Sequence, residues 1–449
     1  MGSLRKQLSG WGRYPEQECI TWRPEKQSGL VVESPMIARG LGRSYGDAAL
    51  NESGNVVLTE RVNRFLELDI ESGKLRAEAG VSMAEVIDVC LPRGWFPQVT
   101  PGTKHVSLGG CLAADVHGKN HHRVGAFSSS VEAFNLITAD GATLTCSRDE
   151  NENVYRATVG GMGLTGVISE MTLQLKKVET AYVTSRHVKA ADLDAAFNEL
   201  AQGGPENEYS VAWIDCLSRG RKLGRSIIMQ GRHASADELG ASQQKLPLQV
   251  ARRRHKRFPI DLPSWALNPL SISSFNSLYY YQQGRKTQPF ISDIDRYFYP
   301  LDAVEDWNRM YGKKGFVQYQ CVLPTAAAFD GIKSMLEKLA NSRRASFLAV
   351  LKRLGPESGG LMSFPMEGYT LALDLPLRGK ELFALLDELD EQVLAAGGRV
   401  YLAKDARLGA AAFAGMYPRL AEWQKIKSRI DPGNRFTSSL ARRLGWVVE

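Results

Sequence analysis

Apolar residues in this chain recur at two spacings. Short β-like runs occupy residues 29–38 (interrupted by Pro35), 56–59, 65–70 and 74–79, and the turn at 71–74 joins the last two as a hairpin. Ser82 and Glu85 form a capping-box pair ahead of an amphipathic helix running to about Leu91, where Pro92 and Gly94 stop it. Residues 133–146 predict a second hairpin, turning at Asp140-Gly141. A helix-like stretch at 152–158 leads towards an alternating strand at 167–175. From about Ala181 the composition changes. New strands are predicted at 210–215, 226–230, 347–352 and 369–374, with helical patterns at 326–339 and 380–396. Residues 315–324 alternate so that Gln318 and Gln320 share one face of a strand. Residues 399–405 read as a strand ending in Lys404 and Asp405, and a basic helix from 416 is stopped by Asp431-Pro432. This mixture of strands and helices with long antiparallel connections predicts an α+β protein.

Length adds a second domain to that picture: 449 residues bury large cores and favour two of them. No run approaches the ~18 uncharged apolar residues of a spanning helix. The first 18 residues lack the apolar core of a signal peptide, so a cytoplasmic chain is expected. The six cysteines lie far apart with no C-x-x-C, which indicates neither a disulfide framework nor a zinc site. The net charge of +7 is unevenly spread. A basic block at 252–257 (RRRHKR) precedes an apolar segment containing Phe258 and Trp265. That pairing suits an anionic membrane surface, against the plainer reading of a solvated loop. No helix-turn-helix, finger or RRM-like signature points to nucleic acid, so peripheral membrane contact through 252–270 is expected and a nucleic-acid partner is not.

Candidate chemistry sits in three glycine clusters. The first, 38–47 (ARGLGRSYGD), offers turns, close backbone approach and two arginines for phosphate. The second, 101–122, crowds Ser107, Gly109, Gly110, Ala113 and Ala114 together, then turns polar at His117, Lys119, Asn120, His121 and His122. Small residues there would let a flat ligand lie against the backbone. His117 and His121 are four apart, but no acid or cysteine completes a familiar metal set, and no metal is expected. The third cluster contains Gly161-x-Gly163-x-x-Gly166, the string of a dinucleotide fingerprint. Its surroundings, a helix before and a strand after, are the reverse of what that fingerprint needs.

Taken together, these motifs resemble the vanillyl-alcohol-oxidase type of FAD-linked oxidoreductase, and within it the decaprenylphosphoryl-β-D-ribose 2-oxidase branch. GLGRSYGD (40–47), PGT…GG…HGKNHH (101–122), VGG-x-GLTG (159–166), GF-x-QYQ (315–320), AKD-x-R (403–407) and MYPR (416–419) carry the likeness over nearly the whole chain. The resemblance implies a two-domain PCMH-type FAD-binding fold. Residues 1–178 would form the first part of the FAD domain, 179–399 an α+β substrate domain on an antiparallel sheet, and 400–449 a segment returning to the FAD domain. It places Ala38, Arg39, Gly40, Leu41, Gly42, Arg43, Ser44, Tyr45, Gly46, Asp47 and Ala48 around the FAD diphosphate. Gly102, Ser107, Leu108, Gly109, Gly110, Ala114, Asp115, Val116, His117, Ile168 and Tyr401 would surround the rest of the cofactor. Many relatives attach FAD through a histidine whose position is Arg43 here, so non-covalent FAD is expected.

For the substrate the same pattern falls on Tyr45, His117, Lys119, Tyr281, Gln318, Gln320, Lys352 and Lys404. Two positions depart from it: Thr370 replaces the family's asparagine, and Ala372 replaces the cysteine trapped by covalent nitroaromatic inhibitors. The implied reaction takes the ribose 2-hydroxyl to a ketone, the first half of epimerisation to an arabinose donor for cell-surface glycan. A separate NAD(P)H-dependent ketone reductase and a quinone or other electron acceptor would be its partners. Lys404 is the first choice for binding the hydroxyl oxygen, its plain alternative being an ion pair with Asp405. His117 is the rival base or a flavin-side hydrogen-bond partner, with Tyr45 beside them. Gln318 and Gln320 would hold sugar hydroxyls, and Lys352 or Lys119 the lipid phosphate. Two other readings stay open: a flavin oxidase of free sugars or alditols, and an FAD-carrying electron-transfer or binding subunit.

Overall fold

Three sheets account for most of the strands, and each begins where the local sequence permits pairing. The computed structural model describes residues 2–32, 35–204, 206–250, 256–263, 267–342, 344, 346, 348–379 and 381–447. The first sheet contains Leu4–Ser9 (β1), Glu16–Trp22 (β2), Met36–Arg39 (β3) and Asn55–Leu58 (β4), in the order β1-β2-β4-β3. The strand expected from residue 29 starts only at Met36, because Pro35 just ahead has no N–H to donate to the ladder with β4.

The second sheet joins Phe65–Leu68 (β5), Lys74–Glu78 (β6), Trp95–Pro97 (β7), Val131–Ile137 (β8), Thr143–Ser147 (β9) and Val167–Lys177 (β10). Its order is β5-β6-β10-β8-β9, with β7 also on β10. Both predicted hairpins form here, the second around Gly141 at φ +85°. The capping box is complete: the Ser82 side chain accepts from Glu85 N, and Glu85 accepts from Ser82 N at 2.7 Å, opening the helix Met83–Cys90. The third glycine cluster is flanked by the helix Glu152–Thr158 and by β10.

The chain then leaves the second sheet for a third. Tyr182–Ala190 (β11), Tyr209–Ile214 (β12), Ser226–His233 (β13), Phe290–Asp293 (β15), Phe316–Pro324 (β17), Ala349–Leu354 (β18), Gly368–Pro376 (β19) and Arg399–Val400 (β20) make eight strands in the order β15-β11-β13-β12-β18-β19-β17-β20. Two-residue periodicity divides its faces. Tyr319, Cys321, Leu351, Leu371 and Leu373 are buried beneath the helices Leu193–Gln202, Thr325–Ser342 and Glu381–Ala395. Each fully buried Leu contributes about 2 kcal/mol. The opposite parity carries Gln318, Gln320, Ala372, Val350, Lys352, Val211, Trp213 and Met229, which face a cavity.

The predicted strand at 399–405 is two residues long; from Tyr401 the chain turns, with Lys404 N bonded to Tyr401 O at 2.9 Å. Beyond it the chain returns to the first sheet, where Met36 N donates to Arg435 O at 2.7 Å and Thr437 N to Met36 O at 2.9 Å. Lys427 of the C-terminal helix Leu420–Ile430 is buried against Asp431. Of the basic block, Lys256–Arg257 (β14) pairs in parallel with Val304–Glu305 (β16); residues 252–255 and Trp265 lie outside the described residues. No helix among the described residues is long and apolar enough to cross a membrane.

Candidate active site

A cavity of about 1230 Å³ lies between the glycine loops and the open face of the third sheet. Its first wall is the loop after β3. Gly42 takes φ +65°, and Gly46 packs so tightly on the 403–406 turn that a Cβ there would stand 2.0 Å from Asp405 O. Tyr45 N donates to Ala403 O at 2.9 Å, so this loop and the lysine-bearing turn hold each other.

Ala38, Gly40, Leu41, Gly42, Arg43, Ser44, Tyr45 and Ala48 line the cavity, as do Gly102, Ser107, Gly109, Gly110, Ala114, Val116, His117, Ile168 and Tyr401. Five predicted cofactor residues serve the wall instead. Gly46 makes the close approach just described, and Leu108 is core. The Arg39 guanidinium donates to Ser9 O at 2.7 Å and Ala49 O at 3.3 Å. Asp47 accepts from Arg443 at 2.9 and 2.7 Å. Asp115 is fully buried, accepting from Ser363 Oγ at 2.6 Å, Ser128 N at 3.2 Å and Ser358 Oγ.

Of the predicted substrate residues, Lys119, Gln318, Gln320, Lys352, Ala372 and Lys404 line the same cavity as Tyr45 and His117. Tyr281 does not. It is 54% exposed on the helix Pro269–Gln283, and helical phase gives the cavity Tyr279 in its place. Thr370 stands behind the lining, fully buried, bonded to Gln320.

Lys404 is not paired with its neighbour Asp405, whose carboxylate accepts from Arg443 at 2.8 Å. Its Nζ sits 3.8 Å from the centre of the Tyr45 ring. Burial holds the Lys404 ammonium below its ordinary range, against the opposing pull of Asp374. Burial likewise lifts Asp374, although Gln318 and, at 3.3 Å, Tyr311 donate to it. Burial pushes Lys352 down to about 8, and burial with the nearby charge of Lys352 pushes Lys119 to about 7. Neither the Lys352 nor the Lys404 side chain makes a hydrogen bond or ion pair among the described residues. Lys119 Nζ donates to Tyr297 O. Asp374, Tyr311 and Tyr297 were not singled out by sequence; Asp374 was discoverable, because it pairs with Gln318 across β17 and β19.

Hydrogen bonding also fixes the tautomer of His117. The Thr370 hydroxyl donates to Cys321 O at 2.7 Å, so its oxygen accepts from Gln320 Nε2 at 3.1 Å. That nitrogen's other proton goes to His117 Nε2 at 3.0 Å. His117 therefore carries its proton on Nδ1, a buried donor with no partner among the described residues. Burial, with the nearby positive charge of Lys352, holds the ring well below its ordinary range and so neutral.

A model of the FAD binding domain matches residues 32–147, and one of D-arabinono-1,4-lactone oxidase matches 379–444. Decaprenylphosphoryl-β-D-ribose oxidase of Mycolicibacterium smegmatis is 37% identical over 451 residues, covering 98% of this chain and 97% of that protein. The chain belongs to the decaprenylphosphoryl-β-D-ribose oxidase family. A second member-length relative, an uncharacterised protein of Streptomyces coelicolor, is 35% identical over 81% of this chain and all of its own length. L-gulonolactone oxidase of Bos taurus is 31% identical over 30% of each chain. In three dimensions the chain is similar to xylooligosaccharide oxidase of Myceliophthora thermophila, with a TM-score of 0.66 at 16% identity over 94% of this chain and 91% of that one. The chain is an FAD-dependent oxidoreductase of the vanillyl-alcohol-oxidase-type fold.

The residues present fit that cofactor. The cavity exceeds the ~300–1,000 Å³ of an ordinary ligand pocket, leaving room for a dinucleotide and a second ligand. Among the described residues, a Cβ on the lining residue Gly102 would meet no atom within 4 Å, and the donor Nδ1 of His117 lacks an acceptor.

Proposed function

We propose that this chain oxidises the 2-hydroxyl of a polyprenylphosphoryl-β-D-ribose to the 2-keto product, using FAD held without a covalent bond. The observation that supports this most is the convergence of Lys404, Lys352 and Lys119 with Gln318 and Gln320 on one cavity beside the glycine loops. It offers a cationic place for one phosphate and amides for sugar hydroxyls.

Bound FAD supplies the acceptor for the hydride leaving C2. Lys404 binds the 2-hydroxyl oxygen. Because burial favours its neutral form, it takes the hydroxyl proton at near-neutral pH. His117 donates from Nδ1 and is not the base, since its Nε2 lone pair is already occupied by Gln320. Lys352 and Lys119 hold the phosphate. Arg43 supports non-covalent attachment: its guanidinium lies 4.4 Å from the Trp11 ring centre, where relatives with a flavin link would present a histidine. Acid precipitation of the yellow protein should therefore release all flavin to the supernatant.

The product ketone would pass to a separate NAD(P)H-dependent reductase, and the reduced flavin to a quinone or another acceptor. The 252–270 region would meet an anionic membrane surface, which suits a lipid substrate and a site at the inner face of the membrane. Co-sedimentation with anionic vesicles should fall when residues 252–257 are neutralised. Anaerobic mixing with a polyprenylphosphoryl ribose should bleach the flavin. Bleaching by a free alditol with peroxide release, and not by the lipid-linked ribose, would replace this reading with the soluble-sugar one.

A further inference from the structure

From β17 to β13 the open face of the third sheet runs from polar to apolar, and beyond it His187 and Ser185 of β11 line the cavity. Gln320 is paired with Ala372, Ala372 with Val350, and Val350 with Trp213, so four side-by-side strands carry one row of cavity-lining residues. At about 4.8 Å per strand, Trp213 stands ~14 Å from Gln320. The row begins with the two glutamines of β17, near Lys404. It passes Lys352 on β18, and reaches Val211 and Trp213 on β12 and Met229 on β13. Lys119 joins Lys352 in the cavity, its Nζ 4.4 Å from the Tyr297 ring centre.

Above the apolar end lies the helix Pro269–Gln283. Tyr279 packs on Trp213 with ring centres 4.8 Å apart and on Phe275 at 5.9 Å. The helix is fastened to the sheet by Asn276 Nδ2 donating to Asp215 at 2.8 Å, and by Tyr280 OH donating to Ala190 O at 3.0 Å. Its outer side exposes Leu270 and Leu278, 78% and 57% accessible, so apolar surface continues past the cavity.

We propose that the compartment floored by Val211, Trp213 and Met229 and roofed by Phe275 and Tyr279 holds the first isoprene units of the substrate's lipid. This rests on the function proposed above. The order amide, ammonium, apolar matches the order sugar, phosphate, prenyl chain. Continuity with the lysine-lined cavity commits the compartment to that one occupant: a chain joined to the sugar through a phosphate. A free polyol would leave the apolar end unused.

The test uses the FAD-loaded protein and two synthetic substrates, methylphosphoryl and farnesylphosphoryl β-D-ribose, below the micelle threshold of the latter. The farnesyl compound should show a KM at least about tenfold lower. Met229→Trp and Val211→Phe, which fill the compartment, should shrink that ratio to about twofold, with visible flavin absorbance reporting that each variant is folded. A wild-type ratio near one, or a ratio unchanged in both filled variants, overturns the lipid subsite. The wild-type ratio decides even where a variant loses flavin. If the methyl compound bleaches the flavin while the ratio is one, only the subsite falls. If neither compound bleaches it, the function proposed above falls too.

Discussion

On the cofactor wall the arginines are held by the protein: Arg39 donates to Ser9 O and Ala49 O, and Arg443 spans Asp47 and Asp405. Lys352 on the sheet opposite and Lys404 on the turn beside the glycine loop are also enclosed, yet their side chains make no hydrogen bond or ion pair among the described residues. A buried charge that is paired maintains a wall; one left unpaired lowers its own ionisation and awaits an anion or a proton. The contrast separates residues that shape this site from residues that act in it.

Substitution at the acting side should have the largest effect. Lys404→Ala should retain flavin while the rate of flavin bleaching falls about 10²-fold or more, as for loss of a positioned acid–base group; full turnover would remove this lysine from the reaction. On the wall side, Arg443→Ala removes the cation shared by the buried carboxylates of Asp47 and Asp405. Asp405 keeps the backbone donors Arg407 N and Leu408 N, so the loss falls mainly on Asp47; it should cost about 2–3 kcal/mol of stability, read as a lower urea midpoint, with kcat of the surviving protein little changed. Lys352 makes the contrast pH-dependent. With its ionisation near 8, it is charged below that pH and neutral above it, so phosphate affinity is present at low pH and lost as pH rises through 8. KM should rise about tenfold between pH 7 and 9, and Lys352→Arg should move that rise upward. The smallest effect belongs to Thr370→Val, which removes the anchor of Gln320. A few-fold loss of kcat should accompany a change in the ¹⁵N shifts of His117 from those of an Nδ1-protonated ring, even in the flavin-free protein.

Local features were legible in the sequence because their causes are local. The Ser82 capping box, the Asp140-Gly141 hairpin, the 152–158 helix and the shared face of Gln318 and Gln320 all depend on residues within a few positions. Misplacements came from partners far along the chain. Asp47 is claimed by Arg443, and Asp115 by Ser358 and Ser363; no window of sequence shows that such residues are already occupied. Tyr281 stands two residues from Tyr279 on its helix, and with Tyr280 OH bonded to Ala190 O it is Tyr279 that lines the cavity, a choice among three adjacent rings that sequence does not make. The turn at Tyr401–Lys404 replaced a predicted strand because the glycine loop packs there, with Tyr45 N on Ala403 O.

The pairing of Met36 with Arg435 and Thr437 bears on how the protein is made. The loop after Met36 is translated long before residues 403–437, which supply its strand neighbour and the turn that closes it. A nascent chain therefore carries an open cradle until those residues have emerged, so folding of the first half alone does not complete the flavin wall.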